Sequence, residues 1–193
     1  LFPITIVASL ASAAVVYRMV RRSLPGRLAS GALAEIGWVP STRAVMLGGA
    51  LVGAFIALLY LRVAIVIWPM SPRQSIGPLA TAVTRSSGWG LQAWALLLVL
   101  VAPPLEEFVF RGALFAGLRR SWGVLPAAVI VTAVFVAAHI SETHLYYPAL
   151  ASLATMAICG LLARMRTGSL LPSIALHGAY NLMVVVAVYA QAA

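Results

Sequence analysis

Glu106, His139, His177 and Asn181 carry acid–base or hydrogen-bonding side chains, yet all four stand inside long apolar stretches of this sequence. Each has a neighbour at helical spacing. Glu107 and Arg111 are four residues apart and share a helix face, the arrangement for an ion pair, which gives those two a structural reading. Glu106 projects about 100° away from that pair, leaving one carboxylate free to face a cavity and act as a base. Phe135 and His139 are also four apart, so an aromatic ring can pack along the same face and fix the imidazole. His177 and Asn181 repeat the spacing and bring two potential donors side by side, as an oxyanion hole requires. The competing reading is polar glue: a four-charge knot, with His and Asn bonding across helices. Gly112 and Gly178, each beside one of these residues, fit close helix approach.

The elements that must position these groups are set by composition. Of 193 residues, 63% are hydrophobic and 9% are charged, against roughly 25% charged in a soluble domain. With a mean hydropathy of +1.02, a water-soluble globule is excluded and a polytopic membrane protein is implied. Burial of an ionised group near the bilayer centre costs about 2.5 to 3.5 kcal/mol, so intramembrane charges face the bundle interior and usually serve function. The net charge of +9 comes from 13 Arg, no Lys, four Glu and no Asp. These arginines fall between apolar segments, where they set topology and meet anionic lipid; no nucleic acid partner is implied. The lone Cys159 offers no disulfide framework and reads as a small core residue. The sequence opens on Leu1 rather than Met, which leaves its native start open.

Apolar runs bounded by Arg, Pro or Gly predict an all-α, polytopic transmembrane helical bundle of about six to seven spans. They run at about Leu1 to Tyr17, Ala44 to Met70, Trp89 to Ala102, Leu105 to Arg120, Gly123 to Ile140, Leu145 to Ala163 and Leu170 to Gln191. Pro103 and Pro104 are expected to end one helix and start the next, because proline suits a first turn better than an interior. A short interfacial helix is expected within Leu28 to Trp38. Glu35, Glu142 and His144 read as solvated, and Arg62 as snorkelling. The connectors Arg18 to Arg43, Arg119 to Arg120 and Arg164 to Arg166 are the most basic, which assigns them to the cytoplasmic side. No repeat or soluble domain is visible, so 1–193 reads as one membrane domain.

Three motifs then coincide: Glu106-Glu107-Phe-Val-Phe-Arg111 fits EExxxR, Phe135-Val-Ala-Ala-His139 fits FxxxH, and His177-Gly-Ala-Tyr-Asn181 fits HxxxN. In this order and spacing they resemble the CPBP family, which holds the type II CAAX prenyl endopeptidases together with bacterial bacteriocin-processing and self-immunity proteins. The resemblance covers about 96–188, the implied catalytic core, whereas 1–95 contains spans without a recognised motif. It implies a proteolytic site in the membrane: Glu106 as the base that activates water, His139 positioning that water, and His177 with Asn181 steadying the oxyanion. Glu107, Arg111 and Phe135 would support them. No Ser or Cys has a base beside it by motif, which disfavours a nucleophilic triad. A metal-free site is favoured, with no cofactor; the alternative is Zn2+ held by Glu106, His139 and His177 with one position open.

The resemblance further implies an integral protein of the bacterial inner (plasma) membrane, acting on a membrane-associated peptide or protein within the lipid bilayer. Two other functions use the same residues. One is a non-enzymatic accessory or regulatory subunit of a larger membrane-protein complex such as a transporter. The other is a small transporter or channel with the buried charges as an ion pathway.

Overall fold

The computed structural model describes Arg18 and residues 30–69, 88–143 and 145–192. The expected first span, the loop at 71–87 and His144 lie outside the described residues. All regular elements among the described residues are helical. They are α1 (Ser30–Glu35), α2 (Arg43–Ile67), α3 (Gln92–Trp122), α4 (Val124–Ala138), α5 (Ile140–Thr143), α6 (Tyr147–Thr167) and α7 (Leu171–Ala192). Helices α2, α3, α6 and α7 are long and apolar enough to cross a bilayer, while α4 is shorter. The described residues thus carry six of the seven expected apolar segments, as five helices of an integral membrane bundle, two of the segments being merged in α3. Its outer surface fits that setting, because Leu47, Leu51, Phe55, Leu125 and Val129 are exposed where an aqueous protein would bury them.

One expectation is corrected. Pro103 and Pro104 do not separate two helices: α3 runs through them as a single element of 31 residues. The chain accommodates the pair by widening to a π-type turn at Leu97–Val101, just before the prolines; a second wide turn follows at Phe108–Leu114. A wide turn shifts the hydrogen-bond register by one residue, so that missing N–H groups interrupt the ladder without ending the helix. Glu106 and Glu107 sit between these two wide turns.

Tight turns join the later helices. Gly123, at φ 84°, separates α3 from α4, and Gly168, at φ 70°, ends α6 before α7; both conformations favour glycine. Thr42 caps α2, its hydroxyl accepting from the Val45 N–H. Helices α2 and α7 approach backbone to backbone. A Cβ at Gly49 would run into the Pro172 carbonyl, and one at Gly53 into the Leu176 carbonyl. Gly49 and Gly53 are spaced GxxxG, the small-residue pattern for close membrane helices. Beside this crossing lies a core of Ile56, Ala57, Phe135, Met156, Ala157, Leu176 and Tyr180, which joins α2, α4, α6 and α7. Ser152 and Tyr180 hydroxyls bond at 2.9 Å, and Ser173 donates to the Gly160 carbonyl at 2.7 Å.

The three basic connectors meet at one end. Arg120 pairs with Glu35 at 2.6 Å, and Arg164 donates to the Glu35 carbonyl at 3.0 Å. Glu35 is therefore not simply solvated, as the sequence suggested, but paired at the surface.

Candidate active site

The site is built from α3, the end of α4, and α7. Because Glu106 and Glu107 are adjacent on a helix, their side chains diverge. Glu107 turns into the protein and is fully buried, while Glu106 remains 30% exposed. Glu107 Oε1 meets Arg111 Nη1 at 3.2 Å and accepts from His177 Nδ1 at 3.0 Å. The expected i,i+4 ion pair is present, and it does more than neutralise charge. By accepting at Nδ1 it fixes the tautomer and ring direction of His177, leaving Nε2 to face Glu106 Oε2 at 3.8 Å.

His139 occupies the C-cap of α4. Its Nδ1 lies 2.8 Å from the Phe135 carbonyl oxygen, which can only accept, so Nδ1 carries the proton and donates. Its Nε2 is 3.7 Å from Glu106 Oε2. The Phe135 ring packs against three groups at once: the His139 ring at 4.5 Å, the His177 ring at 5.9 Å and the Arg111 guanidinium at 4.2 Å. Phe135 thus ties the EExxxR, FxxxH and HxxxN segments into one cluster.

Asn181, one turn beyond His177, donates from Nδ2 to the Leu98 carbonyl of α3 at 2.8 Å. A cavity of about 230 Å³ is lined by Glu106, His139, His177 and Asn181, together with Leu98, Leu153, Val184, Val185 and Val188. The four residues singled out from sequence therefore converge on a single space, with an apolar wall on α7. Glu142 also lines it, a place its reading as solvated did not anticipate. Its placement had no signal in the motifs, because it depends on the chain turning back at His139.

Both Glu106–imidazole distances exceed a direct hydrogen bond and suit a small bridging species. Among the described residues, no three His, Cys, Asp or Glu side chains close into a metal-ligand set. Gly112 and Gly178 act as spacers: a Cβ at 112 would stand 3.2 Å from the Ile36 carbonyl, and one at 178 would stand 3.2 Å from the Val99 carbonyl.

A family model described as type II CAAX prenyl endopeptidase Rce1-like matches residues 88–183. The chain carries an Rce1-like domain. That domain begins at the start of the helix bearing Glu106 and ends just past Asn181, so it takes in every residue of the cluster. It bears out the CPBP resemblance and places the chain with the CAAX-protease-like membrane proteins. No curated protein and no solved structure matches the chain.

Proposed function

We propose that the Rce1-like domain is an intramembrane endopeptidase that hydrolyses a peptide bond of a membrane-proximal substrate with water activated by Glu106. The observation that carries this reading is the convergence of Glu106, His139, His177 and Asn181 on one cavity. Glu106 is the carboxylate of the pair that keeps exposure and faces both imidazoles. It takes a proton from water, whose oxygen attacks the scissile carbonyl carbon while His139 holds the water in line. The carbonyl oxygen gains the electron pair and is steadied by His177 and Asn181. When the tetrahedral intermediate collapses, the C–N bond breaks and Glu106 returns its proton to the departing amine. No covalent intermediate is involved, and no metal is required. His177 can serve as a donor only with its Nε2 protonated, which ties catalysis to the protonation state of the cluster.

Val184, Val185, Val188, Leu98 and Leu153 give the cavity an apolar wall, which suits apolar residues beside the scissile bond. The protein belongs in a bacterial inner membrane on this reading, with the basic end at the cytoplasmic face. Quantitative comparison of membrane and secreted peptides from cells making wild-type or Glu106→Gln protein tests it. Fragments present only with wild type are expected. A deletion phenotype fully rescued by Glu106→Gln would overturn hydrolysis and favour the accessory-subunit role.

A further inference from the structure

We propose that Pro103 is a positioning residue: by withholding an N–H it keeps the Leu98 carbonyl open to Asn181, and so aims the remaining N–H of that carboxamide into the cavity. In a regular α-helix the Leu98 carbonyl would accept from the Ala102 N–H. Here the Ala102 N–H bonds Leu97 instead, across the wide turn. In the wider register the next donor in line for Leu98 would be residue 103, and proline has none. Asn181 takes up this carbonyl from α7 at 2.8 Å.

The neighbouring carbonyl supports the same account. Val99 would accept from residue 103 in an α register or from 104 in the wide one, and both are proline. Its oxygen faces Gly178, where a Cβ would stand only 3.2 Å away. Pro103 and Pro104 therefore open two consecutive carbonyls toward α7; one is met by the Asn181 side chain, the other by the bare backbone of Gly178. Each of the three donor side chains on the cavity then has its own acceptor behind it. His139 has the Phe135 carbonyl, His177 has Glu107, and Asn181 has Leu98.

The link between residues 103 and 181 stands apart from any activity, while its consequence for turnover rests on the endopeptidase reading. Asn181 is the single asparagine of the chain, so asparagine labelled with 15N at Nδ2 gives one pair of side-chain signals in detergent. Wild type is expected to show one proton of the pair downfield and slow to exchange. Pro103→Ala gives Leu98 a backbone donor, the new N–H at 103 in the wide register or the Ala102 N–H if the turn relaxes to an α register, and the pair should move toward free-amide values. Pro104→Ala is the matched control, because an N–H at 104 reaches only Val99 or Leu100. Melting gives a second readout. Asn181→Ala should lower the midpoint by about 2–4 °C in wild type and in Pro104→Ala, and by less than half of that in Pro103→Ala.

With the fold intact, Pro103→Ala should lose roughly tenfold to a hundredfold of Glu106-dependent cleavage, and Pro104→Ala should retain it. Additive melting shifts with unchanged Asn181 signals would overturn the link. An altered Asn181 signal with full turnover in Pro103→Ala would overturn the positioning role. Absence of Glu106-dependent cleavage in wild type would defeat the endopeptidase reading instead, and the signals and melting shifts would still decide the link.

Discussion

Arg111 holds its guanidinium carbon 4.2 Å from the centre of the Phe135 ring. A cation in a membrane core needs compensation from every side, and Arg111, only 1% exposed, receives it from Glu107 in front and from the ring face. Removing either charge strands the other. Arg111→Ala is therefore expected to destabilise the protein by about 3–5 kcal/mol, read as loss of folded protein in detergent or a lower denaturation midpoint. An unchanged midpoint would mean that the ion pair is not a structural element.

The two adjacent glutamates should behave oppositely. Glu106 makes no ion pair shorter than 3.7 Å and keeps 30% exposure, so Glu106→Gln should fold like wild type while lowering cleavage by roughly 10²–10⁴-fold. Glu107→Gln leaves Arg111 uncompensated and removes the charged acceptor at His177 Nδ1, so it should lower stability and activity together. Paired melting and cleavage measurements separate the two, and equal melting of both variants would contradict the division of roles.

Much of this site is legible in the sequence, and the reason is local geometry. Helical spacing alone put Glu107 with Arg111, Phe135 with His139, and Glu106 on another face. What could not be read depends on contacts between distant segments. The second bond of Glu107, to His177, needs α7 to cross α3. Glu142 reaches the cavity only because the chain reverses at His139, and Glu35 is paired only because Arg120 arrives at the same membrane end. The prolines misled because the rule that proline ends a helix assumes an α register, whereas the π-type turn at Leu97–Val101 absorbs the break. The GxxxG spacing of Gly49 and Gly53 was a sequence signal, and its meaning became clear only with α7 laid against it.

That contact places His177 and Asn181. Because Gly53 faces the Leu176 carbonyl, one residue before His177, a methyl group there must push α7 away from α2. Gly53→Ala and Gly49→Ala should each lower the melting midpoint and reduce cleavage, with Gly53 the more severe. Gly48→Ala meets nothing within 4 Å and should be neutral or slightly stabilising, since alanine favours a helix by about 0.5–1 kcal/mol over glycine. If all three variants melted alike, close backbone packing would not be what sets the position of α7.

The last prediction concerns what bridges Glu106 and the two imidazoles. His139 and His177 each spend the Nδ1 proton on an acceptor behind them, so in their neutral forms both turn a bare Nε2 toward Glu106 Oε2, at 3.7 and 3.8 Å. Three acceptors that face one another need a hydrogen-bond donor or a positive charge among them. Glu107 and Arg111 cancel, so one proton shared by Glu106, His139 and His177 brings the cluster to neutrality, the favourable state in a medium of low dielectric. A zinc ion would also supply positive charge, and chelation distinguishes the two. The proton account expects cleavage to survive stringent chelation in protein carrying less than stoichiometric zinc. Loss of cleavage that is restored by added Zn2+, and not by other divalent ions, would replace the shared proton with a metal and make Glu106, His139 and His177 its ligands.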